Sequence, residues 1–242
     1  MTFWGMIDTQ VIKFPVEVEE ANAAVVHFHV RADVVNELLE HEPFDTVEPS
    51  PGVADLIVCA VDFRRHPWGS FHVITIGFRV KPSGFPDAPA GPFLYQSPVD
   101  QRFSCEVGHR AQGVTTQVQQ IGVRYEPDDV TFSLAVDQRP TLELAFARAP
   151  ARGEAVRFEN WVYTTVNGVA HGAIVDFAFG TGQVPPAAVD VKLGSSPLAR
   201  ELRRLGLPMQ PVSCSWGEQL TATYHLIRPI ADIEQFATHS LH

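Results

Sequence analysis

Lysine is almost missing from this chain: among 242 residues only Lys13, Lys81 and Lys192 carry an amine side chain. Basic residues as a whole are few, 18 against 28 acidic ones, and the formal charge of −10 repels a nucleic-acid backbone rather than recruiting it. The three cysteines, Cys59, Cys105 and Cys214, are odd in number and widely spaced, which argues against a disulfide framework or a CxxC metal site and fits buried thiols in a reducing compartment. Long apolar runs are also absent. Ala23 to Val26 is short and Val53 to Val61 is interrupted by Asp55, so no segment approaches the roughly 20 residues a membrane-spanning helix needs. Met1 to Gly5 lacks the basic and apolar regions of a signal peptide, and the expectation is a cytoplasmic protein. No G-x-S-x-G elbow, Rossmann fingerprint or P-loop is present, which removes the common serine-hydrolase and nucleotide-binding readings.

What the chain does contain is a core. Hydrophobic residues make up 45% and charged residues 19%, a balance that supports one well-filled domain over residues 1–242. β-Branched and aromatic residues recur in short runs punctuated by Pro, Gly and Asp, and predict strands over residues 24–31, 55–63, 71–80, 93–95, 103–108, 117–125, 130–136, 141–147, 156–164, 170–179, 188–193 and 212–227. Two helices carry boundary signals. Residues 34–40 follow Asp33, a candidate cap, and Ser196-Pro197 precedes Leu198, Leu202 and Leu205 at helical spacing before Gly206. A weaker apolar pattern over residues 230–236 suggests a short terminal helix, and residues 82–92, rich in Pro, Gly and Ala, read as a loop or lid. A sheet of about ten strands seldom stays open, so closure into a barrel with helices outside or across one end is expected, and its mouth would supply a concave site.

The segment Glu106-Val107-Gly108-His109-Arg110-Ala111-Gln112-Gly113-Val114-Thr115-Thr116-Gln117 resembles the active-site run of the acetoacetate decarboxylase family, in which a small residue, Gly-Arg-Glu and an aromatic-rich stretch lead to Pro-Lys. Flanking pieces extend the resemblance over most of the chain: Phe28-His29-Val30-Arg31-Ala32-Asp33 with Leu38-Leu39 near the start, and Val189 to Leu198 with Leu205-Gly206-Leu207-Pro208 near the end. The resemblance implies a mainly β (α+β) fold, a closed antiparallel acetoacetate decarboxylase-like barrel with a few peripheral helices and a ligand cavity, in a homo-oligomer. It also implies a Schiff-base lysine, and here the chain departs from it. Thr116 falls where that lysine is expected, Gln117 replaces the neighbouring cation, and His109 and Arg110 stand where Arg and Glu are expected. An earlier glutamate corresponds, in a looser register, to His72.

Threonine forms no stable imine, so the resemblance points to the scaffold without the lysine chemistry. The expected activity is acid–base and electrostatic catalysis of the lyase, hydratase, isomerase or cyclase kind, on a keto, enol or carboxylate-bearing small molecule. Arg110 is expected to hold negative charge, His72 or His109 to move a proton, and Glu106, Thr116 and Gln117 to contact the ligand. Strand alternation predicts that His109 and Arg110 do not both face inward. A non-catalytic binding protein and a decarboxylase with a relocated lysine are the alternatives. No cofactor and no metal are expected. His27 and His29 share a strand face, but no Cys, Asp or Glu nearby completes a ligand signature.

Overall fold

A computed structural model describes residues 1–149, 156–180 and 182–233. Its strands, in chain order, are β1 (Thr2–Ile7), β2 (Gln10–Phe14), β3 (Val16–Arg31), β4 (Phe44–Thr46), β5 (Val53–Arg65), β6 (Phe71–Pro82), β7 (Gly91–Gln96), β8 (Gln120–Tyr125), β9 (Asp129–Val136), β10 (Arg139–Ala147), β11 (Val156–Val166), β12 (Val169–Phe179), β13 (Gly182–Val184), β14 (Val189–Leu193), β15 (Ser213–Tyr224) and β16 (Arg228–Pro229). The helices are α1 (Ala32–Leu38), α2 (Arg102–Gln112) and α3 (Pro197–Leu205).

Strand pairing follows one circuit, β15-β3-β5-β6-β7-β11-β12, and returns to β15 through the register Val175↔Tyr224 to Ala178↔Thr221. The expected antiparallel barrel is thus met with one exception: β7 and β11 run parallel and meet at Tyr163↔Phe93. Close approach at that seam requires glycine. A Cβ on Gly91 would stand 2.3 Å from the Trp161 carbonyl oxygen. A second sheet, in the order β14-β10-β9-β8, packs outside the circuit.

Side-chain alternation divides the strands into two environments. On β3, β5 and β6, one set of positions (Ala24, Val26, Phe28; Leu56, Val58, Ala60; Ile74, Ile76, Phe78) points away from the barrel axis and is completely buried. These side chains meet Phe132, Leu144 and Phe146 of the second sheet, with Leu202 and Leu205 of α3, in the main core. Each Val, Leu, Ile or Phe among them contributes about 1.5–3 kcal/mol by leaving water. The intervening positions face the barrel interior.

The α3 signals hold. The Ser196 hydroxyl accepts from the Ala199 amide at 3.1 Å, Pro197 opens the helix, and Gly206 closes it at φ 113°. α1 begins earlier than expected, with Arg31 at the cap position; Asp33 sits inside the first turn and binds Arg31 instead of capping. Residues 230–232 form one 3₁₀ turn, and the remainder of the weak terminal pattern lies outside the described residues. The 82–92 loop is tied down, with Tyr163 donating to the Pro89 carbonyl at 2.6 Å and Lys81 to that of Pro86 at 3.3 Å.

The largest departure concerns residues 102–112, expected in part as a strand, which form α2. Phe103, Val107 and Ala111 recur at helical spacing and pack on the N-terminal hairpin β1–β2, around Ile7, Ile12 and Phe14. Gln101 caps the helix by accepting from the Ser104 amide, and Gly113 ends it at φ 58° in the left-handed region.

Candidate functional site in the barrel

The barrel interior encloses a cavity of about 510 Å³. One end is closed by α2, whose Ser104, Gly108 and Gln112 line it at i, i+4 and i+8, and by the β5–β6 turn carrying His66 and Trp68. Gln101 fastens these closures together: its amide donates to the Trp68 carbonyl at 2.8 Å while its oxygen caps α2. Towards the opposite end the wall includes His27, Phe158, Asn160 and Gln183, with Phe158 46% exposed.

Among the described residues, the wall contains no Lys, Arg, Asp or Glu. Most of it is aliphatic or aromatic, including Ile57, Val61, Phe63, Phe71, Val73 and Phe177. Several polar side chains in the wall are already engaged. Ser97 donates to Thr75 at 3.1 Å, Thr116 to the Ser97 carbonyl at 2.7 Å, and Ser104 to Gln101 at 2.5 Å.

Beside other polar groups, which include Thr164 and the ring of His225 held by Asp176 at 3.0 Å, the wall presents three rings that burial keeps neutral. Burial pushes His66 down to about 4, so its ring is uncharged at neutral pH. Its Nδ1 accepts from the Trp68 amide at 3.1 Å, which places the ring proton on Nε2. Tyr224 is held protonated by burial, the Cys59 thiol adding to the same shift. Both His66 and Tyr224 flank Phe63, with ring centroids 5.2 and 6.2 Å away. His27 is also lowered, mainly by burial and against the pull of Asp55, so its neutral ring keeps one unprotonated nitrogen. Cys59, pushed up to about 12 by burial, is a thiol rather than a thiolate.

The expected site residues separate. Thr116 lines the cavity, whereas Gln117 is exposed and bonded to Gln119. His109 and Arg110 are exposed on α2, and Glu106 is half-buried outside the wall, because the helix turns residues 104, 108 and 112 inward instead. The alternation expected for His109 and Arg110 does not apply to a helix. His72 lies on the outer face of β6. Its Nδ1 meets Asp100 at 2.6 Å and its Nε2 meets Asp62 at 3.4 Å. Asp62 in turn accepts from Tyr125 at 2.6 Å and Arg64 at 3.1 Å. The hydrogen bonds to Asp100 and Asp62 raise His72 to about 9, while those from His72 and Tyr125 outweigh burial and hold Asp62 below the usual carboxylate range. This ion cluster joins the barrel to the second sheet and to the approach to α2.

All three lysines lie away from the wall: Lys13 is exposed on β2, Lys81 binds the Pro86 carbonyl, and Lys192 pairs with Glu143 at 2.8 Å and Asp190 at 3.3 Å. Of the histidine pair, His27 lines the cavity and His29 is exposed beside Asp55 at 3.4 Å. No cluster of three or more metal-binding side chains occurs among the described residues. Nothing local in the sequence distinguishes His66 or Tyr224, and His27 stands out only for sharing a strand face with His29. Only the inward parity of β3 and β15 and the fold of the 66–69 turn bring them to one cavity.

Barrel, second sheet and capping helix together define an acetoacetate decarboxylase-like fold. No protein-family profile and no curated protein matches the sequence. Among solved structures, the chain is similar to the acetoacetate decarboxylase of Legionella pneumophila at a TM-score of 0.70 and 13% identity, covering 96% of this chain and 94% of that one. It is also similar to the enduracididine biosynthesis enzyme MppR with HEPES bound, at a TM-score of 0.61 and 15% identity over 92% and 90%. A further structure of MppR, complexed with pyruvate, gives a TM-score of 0.58 at 14% identity over 92% of each chain.

Proposed function

We propose that the chain is a small-molecule enzyme that binds an uncharged, largely apolar keto or enol compound in the barrel and works by acid–base and electrostatic catalysis without a Schiff base. The wall free of Lys, Arg, Asp and Glu among the described residues carries this reading. A carboxylate taken into such a wall would lose its hydration with no cation to replace it, at a cost of several kcal/mol. The acid part of the ligand class expected from the sequence is therefore dropped, and the ketone part is kept.

In this reading the Nε2–H of His66 and the hydroxyl of Tyr224 donate to the carbonyl oxygen, and both remain neutral because burial disfavours their charged forms. A neutral imidazole acting as such a donor has precedent in other enzymes. His225, next to Tyr224 in the wall and held by Asp176 at 3.0 Å through Nε2, takes the proton from the carbon beside the carbonyl, giving an enolate stabilised by the two donors, and returns it to complete an isomerisation. Thr116, held by the Ser97 carbonyl, shapes the wall.

The test is exchange of that proton. A panel of uncharged ketones incubated with the protein in D₂O should show deuterium incorporation by NMR, reduced about 10²-fold or more in His66→Phe and in Tyr224→Phe. Incorporation no faster than in buffer, for every ketone that binds, would refute catalysis. That outcome would favour a second reading, a non-catalytic binding protein, which is supported by the lack of any carboxylate or amine base in the described wall.

A further inference from the structure

One hydroxyl in the cavity wall is unused. Thr164 is 1% exposed, yet its Oγ1 has no hydrogen-bond partner among the described residues. Its place on β11, in phase with Val162 and Asn160, turns its side chain to the interior, and it lines the cavity. Gly113, the left-handed residue that ends α2, lies directly beside it. A Cβ there would stand 2.4 Å from Val166 and 3.4 Å from Thr164 Oγ1, so only glycine fits the crowded space beside this hydroxyl. Gln112, the last residue of α2, brings a side-chain amide into the same end of the wall.

The position relative to the carbonyl donors is set by register. Thr164 pairs with His171 on β12, and Tyr224 pairs with Val175 on the same strand. Four residues of β12, about 13 Å, separate the two loci along the strand and two strand spacings, about 10 Å, separate them across it, a backbone distance that side chains reaching inward from both shorten. A ligand held by its carbonyl at His66 and Tyr224 therefore extends a mainly apolar body towards Thr164.

We infer that Thr164 is a specificity-determining residue, the anchor for a second, uncharged oxygen function of the ligand, a hydroxyl or carbonyl remote from the reacting carbonyl. This rests on the carbonyl-binding reading above and deepens it: the ligand is a dioxygenated, otherwise apolar molecule. Thr164 can donate to or accept from that oxygen, and Gln112 offers both an acceptor and a donor beside it. A threonine hydroxyl left unpaired in an apolar wall is unfavourable on its own and becomes favourable when a ligand pairs it.

The experiment compares nonan-2-one with 9-hydroxynonan-2-one by calorimetric titration against the wild-type protein, Thr164→Val and Thr164→Ser. The wild type and Thr164→Ser are expected to bind the hydroxyketone about tenfold more tightly than the plain ketone, and Thr164→Val to bind the two within about twofold of each other. Because valine removes an unpaired hydroxyl at nearly constant volume, the ligand-free Thr164→Val protein is expected to melt no lower than the wild type. Equal affinity of the wild type for both ketones overturns the anchor while leaving the carbonyl reading intact. Retention of the preference in Thr164→Val, or a drop of several degrees in its Tm, overturns the anchor as well. Failure of the wild type to bind either ketone overturns the carbonyl reading and the anchor with it.

Discussion

Replacing His72 by glutamine should change how stability depends on pH. His72 is held between Asp100 and Asp62, at 2.6 and 3.4 Å, and its pKa rises to about 9 from 6.5. A group whose folded-state pKa is raised gives its full stabilisation below the unfolded value and loses it as pH climbs through the folded one. The window is thus pH 6.5 to 9. An upward shift of this size corresponds to about 3 kcal/mol by linkage. The side chain is 30% exposed, and solvent screening reduces the contribution to about 1–2 kcal/mol. Urea unfolding of both proteins at pH 6, 7.5 and 9.5 measures the effect. The wild type should exceed His72→Gln by about 1–2 kcal/mol more at pH 6 than at pH 9.5, or about 3–6 °C in Tm for a chain of this size. Parallel pH profiles would show that His72 does not carry charge between the two carboxylates, and would refute the reasoning. A deficit for the variant that grows as pH rises would do the same.

Other consequences are as direct. Treatment with borohydride and acetoacetate should leave no mass adduct on the protein, since Lys13, Lys81 and Lys192 all lie outside the cavity wall; a stoichiometric adduct on any of them would restore the relocated-lysine alternative. Ser196→Ala removes the cap of α3 and a hydroxyl that also accepts from Thr141 at 2.9 Å, and should cost about 1–2 kcal/mol in urea unfolding. Gly91→Ala forces a methyl against the Trp161 carbonyl at the β7–β11 seam and should cost several kcal/mol, a loss that Gly84→Ala, in open space, would not show beyond its own backbone strain.

Much of the scaffold was legible in the residues, because burial on a barrel wall imposes period two. The outer rows Ala24-Val26-Phe28 and Leu56-Val58-Ala60 alternate with inner residues, and α3 announces itself through Ser196, Pro197 and Gly206. α2 was hidden for an identifiable reason. Its cap is glutamine, outside the usual Ser, Thr, Asp and Asn set, and its inward face is Ser104, Gly108 and Gln112, so only Phe103, Val107 and Ala111 mark an apolar stripe. The candidate site suffered most from this. Once residues 102–112 are helical, His109 and Arg110 turn to solvent, while the polar wall is assembled from β3, β11, β15 and the 66–69 turn, far apart in sequence. His72 drew notice for the right chemistry at the wrong place. Its parity on β6 sends it outward, beside Asp62 across the β5–β6 pairing, whereas Phe71 and Val73 face the cavity.

The absence of Lys, Arg, Asp and Glu from the described cavity wall is the central claim, and a matched pair of ligands tests it most directly. Calorimetric titration of the protein with nonan-2-one and with 3-oxononanoic acid at pH 7.5 compares a neutral ketone with a β-keto acid of equal chain length. The ketone is expected to bind at least about tenfold more tightly, because the carboxylate would enter a wall with no cation to receive it. Equal or tighter binding of the acid would contradict the account.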